Sequence, residues 1–249
     1  MGSGGFGTVY AALHKGARRV AVKRLNAAGA AAAREFASEV GMLKLLNRLR
    51  HEHIVTFVGA CPDSRSNVTE LMAGGSLADV LKADPARLAW PAAGWRAALH
   101  IARALHYLHT LEPPVVHWDV KPDNVLCQPG LEIFKLADVG LANIMLRTLV
   151  AAPGYTPFYA ASEVHEGGDD VTVKADVFVT VKADVFSFGV VVEAFLVGKE
   201  LTSWARALRL PPGTSTQVRG LVKRCLLKEA TARPSAHCQA ERNQARELP

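Results

Sequence analysis

Hydrophobic positions change their period along this chain. Near the start they fall into strand-length runs: Thr8 to Leu13 and Arg19 to Leu25 flank a turn at Lys15-Gly16, and Ile54 to Ala60 forms another short apolar strand. Between these, after an Ala-rich stretch, Phe36, Val40, Leu43 and Leu46 recur at helical spacing and predict a helix around 34–48. From Ser76 onward the helical period dominates. Ser76 followed by Asp79 reads as a capped helix start. Trp95, Leu99, Ala102, Leu105 and Leu108 mark the core face of an amphipathic helix predicted over 90–109. Short strands are expected around Val125-Leu126 and Phe134 to Leu136, then helices around 184–196, 216–227 and 235–247. Strands first and helices after predict an α+β architecture in two lobes. A small β-rich lobe with its connecting hinge would occupy 1–72, and a larger helical lobe 73–249.

Composition narrows the class. With 249 residues, 49% hydrophobic and 21% charged, the chain is a soluble globular protein of one large domain or two lobes around a cleft. The net charge is +6, with Lys and Arg scattered rather than clustered, which favours a mildly basic surface over a nucleic-acid site. Cys61, Cys127, Cys225 and Cys238 show neither CxxC pairing nor metal spacing and read as reduced thiols of a cytoplasmic protein. The glycine-rich start lacks a basic-then-apolar leader, and no apolar run reaches the ~18 residues of a membrane span. The octapeptide Val171 to Phe178 recurs unchanged as Val179 to Phe186, a local duplication. The second copy is expected to open the central helix, because an almost unbroken apolar run comes after Asp184. The first copy should be looped out, because β-branched residues come after Asp176.

The candidate chemistry sits in four short segments. Gly2, Gly4, Gly7 and Val9 fit G-x-G-x-x-G-x-V, in which glycines let main-chain amides approach phosphate. β-type sequence comes next, unlike the strand–loop–helix order of a dinucleotide site. Lys23 lies on a strand between apolar neighbours (Val20-Ala21-Val22) and can turn toward nucleotide phosphates. A cation so placed needs a carboxylate partner, and Glu39 at the edge of the apolar face of the 34–48 helix is the candidate. In His117-Trp-Asp119-Val-Lys121-Pro-Asp-Asn124, Asp119 is placed as the base, Lys121 as a stabiliser of transferred charge, and His117 as a packing residue that shapes the loop. Asn124 and Asp138, the latter before Gly140, offer the hard oxygen ligands that Mg²⁺ prefers.

These segments, in this order, resemble a eukaryotic protein kinase domain of the serine/threonine type, with likeness to the tyrosine-kinase-like group. Arg50-His51-x-x-Ile54-Val55 with Gly59-Ala60-Cys61, Thr156-Pro157 through Glu163, Asp184-Val-Phe-Ser-Phe-Gly189, and Cys225-Leu226 with Arg233-Pro234 extend the likeness over essentially the whole chain. The resemblance implies ATP and Mg²⁺ as cofactors and a protein Ser/Thr hydroxyl as acceptor. It makes Thr69 the gatekeeper, and Ala21, Glu70, Met72 and Leu126 nucleotide-binding positions. Several positions depart from the pattern. Trp118 replaces the arginine that binds a phosphorylated activation loop, Val139 replaces a phenylalanine, Ser162 replaces a proline, and Ser66-Asn67 stands in a normally apolar strand. The first strand of the small sheet is expected to be missing. The retained Lys23, Glu39, Asp119, Asn124 and Asp138 favour an active enzyme. The departures favour the alternative, a pseudokinase or kinase fragment acting as a scaffold. A small-molecule phosphotransferase is disfavoured by the protein-substrate motifs around Thr156 and Arg233.

Overall fold

The computed structural model describes residues 2–4, 7–25, 36–37, 40–41, 43–44, 47, 50–112, 114–139, 159–161, 177–199 and 210–236. Five strands form one antiparallel sheet: β1 (Gly2–Gly4), β2 (Gly7–His14), β3 (Arg18–Leu25), β4 (Phe57–Cys61) and β5 (Ser66–Glu70), in the order β1-β2-β3-β5-β4. The strand expected to be missing is therefore present as three residues, paired Gly2↔Val9, Ser3↔Thr8 and Gly4↔Gly7. Gly16, at φ 73, lets the chain reverse between β2 and β3. Gly7 has a packing reason to lack a side chain, since a Cβ there would collide with the Arg24 carbonyl of β3. Ser66 and Asn67 do not interrupt β5. Both are buried, and their main chains pair with β3 and β4 together. Pairing on both edges outweighs the weak strand preference of either side chain.

The described positions between 36 and 47 are helical, with Phe36 buried. Among the described residues four further α-helices come after them: α1 (Leu77–Ala83), α2 (Trp95–His109), α3 (Val177–Val197) and α4 (Thr216–Cys225). A two-stranded ribbon, β6 (Val125–Cys127) with β7 (Phe134–Leu136), lies between α2 and α3 in the chain. The capping expected at Ser76 is complete. Ser76 Oγ accepts from the Asp79 N–H at 3.1 Å, and Asp79 Oδ2 accepts from the Ser76 N–H at 2.9 Å, worth about 1 kcal/mol. The helix predicted from residue 90 becomes α-helical only at Trp95. Pro91 has no N–H to give, and the preceding turn is the wider π form.

The central helix differs from expectation at its start. It begins at Val177, inside the first octapeptide copy, rather than near Asp184. β-branched residues cost only tenths of a kcal/mol each in a helix, and extending an existing helix adds a hydrogen bond per residue. The remainder of the first copy, with Asp176, lies outside the described residues, as does the helix predicted over 235–247 beyond Ala236. From Val185 onward α3 is apolar nearly all round, with Phe188, Val190, Val191, Val192 and Ala194 at 0% exposure. A helix apolar on every side must be enclosed, and α2 and α4 enclose it. Gly189 permits the close approach of α4: a Cβ there would stand 2.6 Å from the Cys225 Cβ. No described helix is long and apolar enough to cross a membrane.

Candidate active site

Residues from both parts of the chain converge on a cleft of about 1040 Å³ between the five-stranded sheet and the β6–β7 ribbon. From the sheet, the β2–β3 register sets Val9 opposite Lys23, and Ala21 stands two residues before Lys23 on the same face. Gly7, Val9, Ala21, Lys23, Met72 and Leu126 all line the cleft, and so do Lys121, Asn124 and Asp138. Gly2 and Gly4 sit on β1.

Lys23 crosses this space. Its Nζ lies 2.7 Å from Asp138 Oδ2, although 115 residues separate the two in the chain. Burial alone would raise the Asp138 carboxyl, but the Lys23 ammonium, with Lys121 behind it, holds it below the usual carboxylate range. Asp138 thus stays ionised at the edge of the cleft. Its backbone is left-handed, φ 57, a conformation costly for a non-glycine residue and often held at functional sites. Glu39, expected to pair with Lys23, lies outside the described residues.

The loop from His117 to Asn124 is held from beneath. Asp184 is fully buried and accepts from the His117 N–H (2.8 Å), the Trp118 N–H (2.8 Å) and His109 Nε2 (2.9 Å). This anchor fixes Trp118 at φ 68, a second left-handed non-glycine residue, next to Asp119. His117 ties the loop to the Asp138 segment. Its Nδ1 accepts from the Asp119 N–H at 3.3 Å, so Nε2 carries the ring proton and donates to the Ala137 carbonyl at 2.8 Å. Asp119 is buried. Its Oδ2 receives Lys121 Nζ at 2.8 Å and Asn124 Nδ2 at 2.8 Å, while the same amide nitrogen donates to the Asp119 carbonyl at 2.8 Å. A single 3₁₀ turn, Pro122–Asn124, brings Asn124 back to the base.

Two features were not read from the sequence. The first is at Glu70, whose side chain is committed to neighbours within the protein. It accepts from Lys135 Nζ at 2.7 Å and from the Thr56 N–H at 2.7 Å. Burial would raise this carboxyl, but those donors lower it below its ordinary value. Any nucleotide contact at Glu70 is left to its main chain. The second is a pair of stacked imidazoles, His53 and His100, with ring centroids 3.8 Å apart. His100 Nδ1 accepts from the Phe134 N–H and His53 Nδ1 donates to the Phe134 carbonyl, each at 3.2 Å. Both main-chain polar groups of Phe134, four residues before Asp138, are thereby held by histidines. Burial pushes His53 down to about 4 and His100 down to about 3.

Those shifts set the sign of a pH effect. Unfolded histidines bind protons near their ordinary value of about 6.5, whereas the folded rings refuse them until far lower pH. Stability is therefore complete above that value and is lost as pH falls through the window down to about 4 and then about 3. The unfolding free energy from urea titration should fall between about pH 7 and about pH 5, by at most about 1.4 kcal/mol per pH unit per ring. The fall should shrink in His100→Asn. An equal slope in that variant would assign the acid sensitivity elsewhere.

With this geometry in view, the chain belongs to the protein kinase domain family, whose profile matches residues 1–243. It is 36% identical over 210 residues to U-box domain-containing protein 70 of Oryza sativa subsp. japonica, covering 80% of this chain and 24% of that protein. It is 34% identical over 221 residues to the brassinosteroid LRR receptor kinase of Solanum lycopersicum, covering 82% and 17%. It is 36% identical over 211 residues to the seven transmembrane domain-containing tyrosine-protein kinase 1 of Dictyostelium discoideum, covering 80% and 28%. The chain thus spans less than a third of the length of these relatives.

Proposed function

We propose that this domain transfers the γ-phosphoryl group of ATP to a serine or threonine hydroxyl of a protein. The observation that carries this reading is that Lys23, Asp138, Asn124 and Lys121 line one cleft, with Lys23 paired to Asp138 and with Lys121 and Asn124 both bound to Asp119. The donor set suits Mg²⁺: the Asp138 carboxylate and the Asn124 amide oxygen are hard ligands. Among the described residues no group of three or more His, Cys, Asp or Glu could hold a metal alone. Asn124 and Asp138 would hold such an ion with two protein oxygens, as suits a cation that is not enclosed by a full protein cage. Bound Mg-ATP would supply the transferable phosphoryl group and charge neutralisation between phosphates.

The residues then divide the work. Lys23 positions phosphate and keeps Asp138 ionised. Asp119 Oδ2 is committed to Lys121 and Asn124, which leaves Oδ1 to take the acceptor hydroxyl's proton. Lys121, held at the base, faces the negative charge that moves during transfer. Lys121-Pro122 after the base supports a serine/threonine rather than a tyrosine acceptor. The free thiols of Cys61, Cys127 and Cys225 support a cytoplasmic setting. The test is a thermal shift with Mg-ATP followed by labelled-phosphate transfer to a generic basic protein. Stabilisation with transfer is expected. Stabilisation without transfer would leave a nucleotide-binding scaffold, and absence of both would reject the site.

Transfer should not depend on phosphorylation of the 140–155 segment. Trp118 packs against the hydrophobic core and brings no cation to that segment. Thr148 is the only hydroxyl between Asp138 and Tyr155. Phosphatase treatment and Thr148→Ala should both leave the rate nearly unchanged. A large drop in either would mean that another cation has taken the arginine's role.

A further inference from the structure

One stripe of α2 faces the 50–53 loop. His100, Arg103 and Tyr107 stand three and four residues apart on that helix and so share a face. The loop stacks on both ends of the stripe. The His53 ring centroid lies 3.8 Å from that of His100, and the His51 centroid 4.7 Å from that of Tyr107. His51 and His53 themselves meet edge to face at 5.7 Å. Arg103 stands between the two stacks. It is partly buried, yet among the described residues it enters no ion pair and no hydrogen bond. A guanidinium drawn part-way out of water without an acceptor is costly.

The groups beside Arg103 are donors. His51 Nδ1 accepts from the His53 N–H at 3.2 Å, so its Nε2 carries the ring proton. Tyr107 has a buried hydroxyl without a hydrogen-bond partner. A helical side chain leans over the turn before its own Cα, which for Tyr107 is the turn of Arg103. Arg96, on the same stripe, is already committed: it donates to the Leu131 carbonyl at 3.2 Å and lies 5.0 Å over the Trp95 ring. The loop's one carboxylate, Glu52, is 71% exposed and stands 3.2 Å from His53 Nε2 rather than on Arg103. Burial lowers the His51 ring most, Glu52 opposes this, and the Arg103 cation reinforces it.

We propose that Arg103, with the Tyr107 hydroxyl and the His51 Nε2–H, binds the phosphate of a phosphorylated serine or threonine in a partner protein. A phosphate monoester presents three strong acceptor oxygens, which suit a guanidinium fork, a hydroxyl and a ring N–H; a carboxylate presents two. The exposed Glu52 beside the site repels a polyanion and favours a single phosphate with a basic residue next to it. A nucleic acid fits less well, because it needs several cations in line. A membrane also fits less well. Tyr10, Leu13 and Leu227 are the exposed large apolar side chains among the described residues, and none lies on α2 or the 50–53 loop. Binding at Arg103 needs no nucleotide, although His51 also borders the cleft.

The experiment titrates the whole chain, without nucleotide, against a blocked fluorescent peptide carrying one phosphoserine beside a lysine, read by anisotropy. Saturable binding is expected, weakening with salt. Arg103→Gln should weaken it at least about tenfold. Arg103→Lys should not restore it, since an ammonium lacks the two-pronged fork. Tyr107→Phe keeps the ring on His51 and removes the hydroxyl, so it should weaken binding at least about threefold without lowering Tm. The comparison probes are the unphosphorylated peptide, the peptide with Glu for phosphoserine, inorganic phosphate, a single-stranded oligonucleotide and vesicles containing a phosphoinositide. Equal binding of any of these would overturn the proposal, as would displacement of the phosphopeptide by equimolar Mg-ATP. So would undiminished binding in any of the three variants, or no binding at all.

Discussion

Lys23→Met and Asp138→Asn should each lower phosphoryl transfer to less than about a thousandth of the unmutated rate, a barrier increase above about 4 kcal/mol. The two losses have different origins. Lys23→Met removes the ammonium 2.7 Å from Asp138, along with the charge that holds that carboxyl low. Asp138→Asn keeps the shape but removes the negative charge a divalent cation needs. Only Asp138→Asn should abolish the Mg²⁺ dependence of nucleotide binding, measured by thermal shift with ATP in the presence and absence of Mg²⁺. Lys23→Met should still respond to the metal, with weaker nucleotide affinity. Transfer persisting within about tenfold in either variant, a barrier change under about 1.4 kcal/mol, would contradict the assignment. Lys23 and Asp138 reach each other across the cleft, so their effects should not add in the double variant.

Asp184→Ala should be among the most destabilising single changes in the chain. It strands two main-chain N–H groups and His109 Nε2 around a fully buried position. Breaking a buried, charge-assisted set costs about 3–5 kcal/mol, which for a domain of this size lowers Tm by about 10 °C. Asp184→Asn should recover little, because its amide nitrogen must face an N–H donor at one of the two oxygens. The loop anchored there carries Trp118 at φ 68, so losing the anchor also releases Asp119 from its setting. Asp176→Ala, in the first octapeptide copy, serves as the control and should leave Tm nearly unchanged. A larger effect from Asp176 than from Asp184 would reverse the assignment of the two copies.

The sequence by itself determined most elements and the types of residue at the site. Strand and helix periods marked β2, β3, α2 and α4, because each pattern records which side of a local element faces water. Ser76 and Asp79 announced their cap because a capping box spans only three residues. The identical octapeptides differ in the residues downstream of each, and the apolar run after Asp184 becomes the enclosed part of α3. The same local reasoning misplaced the start of α3, since propensity is a small penalty that an existing helix overrides. It also left out β1, a three-residue strand that exists through its pairing with β2. Only the tertiary structure decided which charges meet. Lys23 finds Asp138, Glu70 finds Lys135, and Asp184 finds the His117–Trp118 main chain across 115, 65 and 67 residues. No short-range rule links positions so far apart. Their contacts exist because the sheet, the ribbon and the buried helix pack together, and burial forces each polar group to its partner.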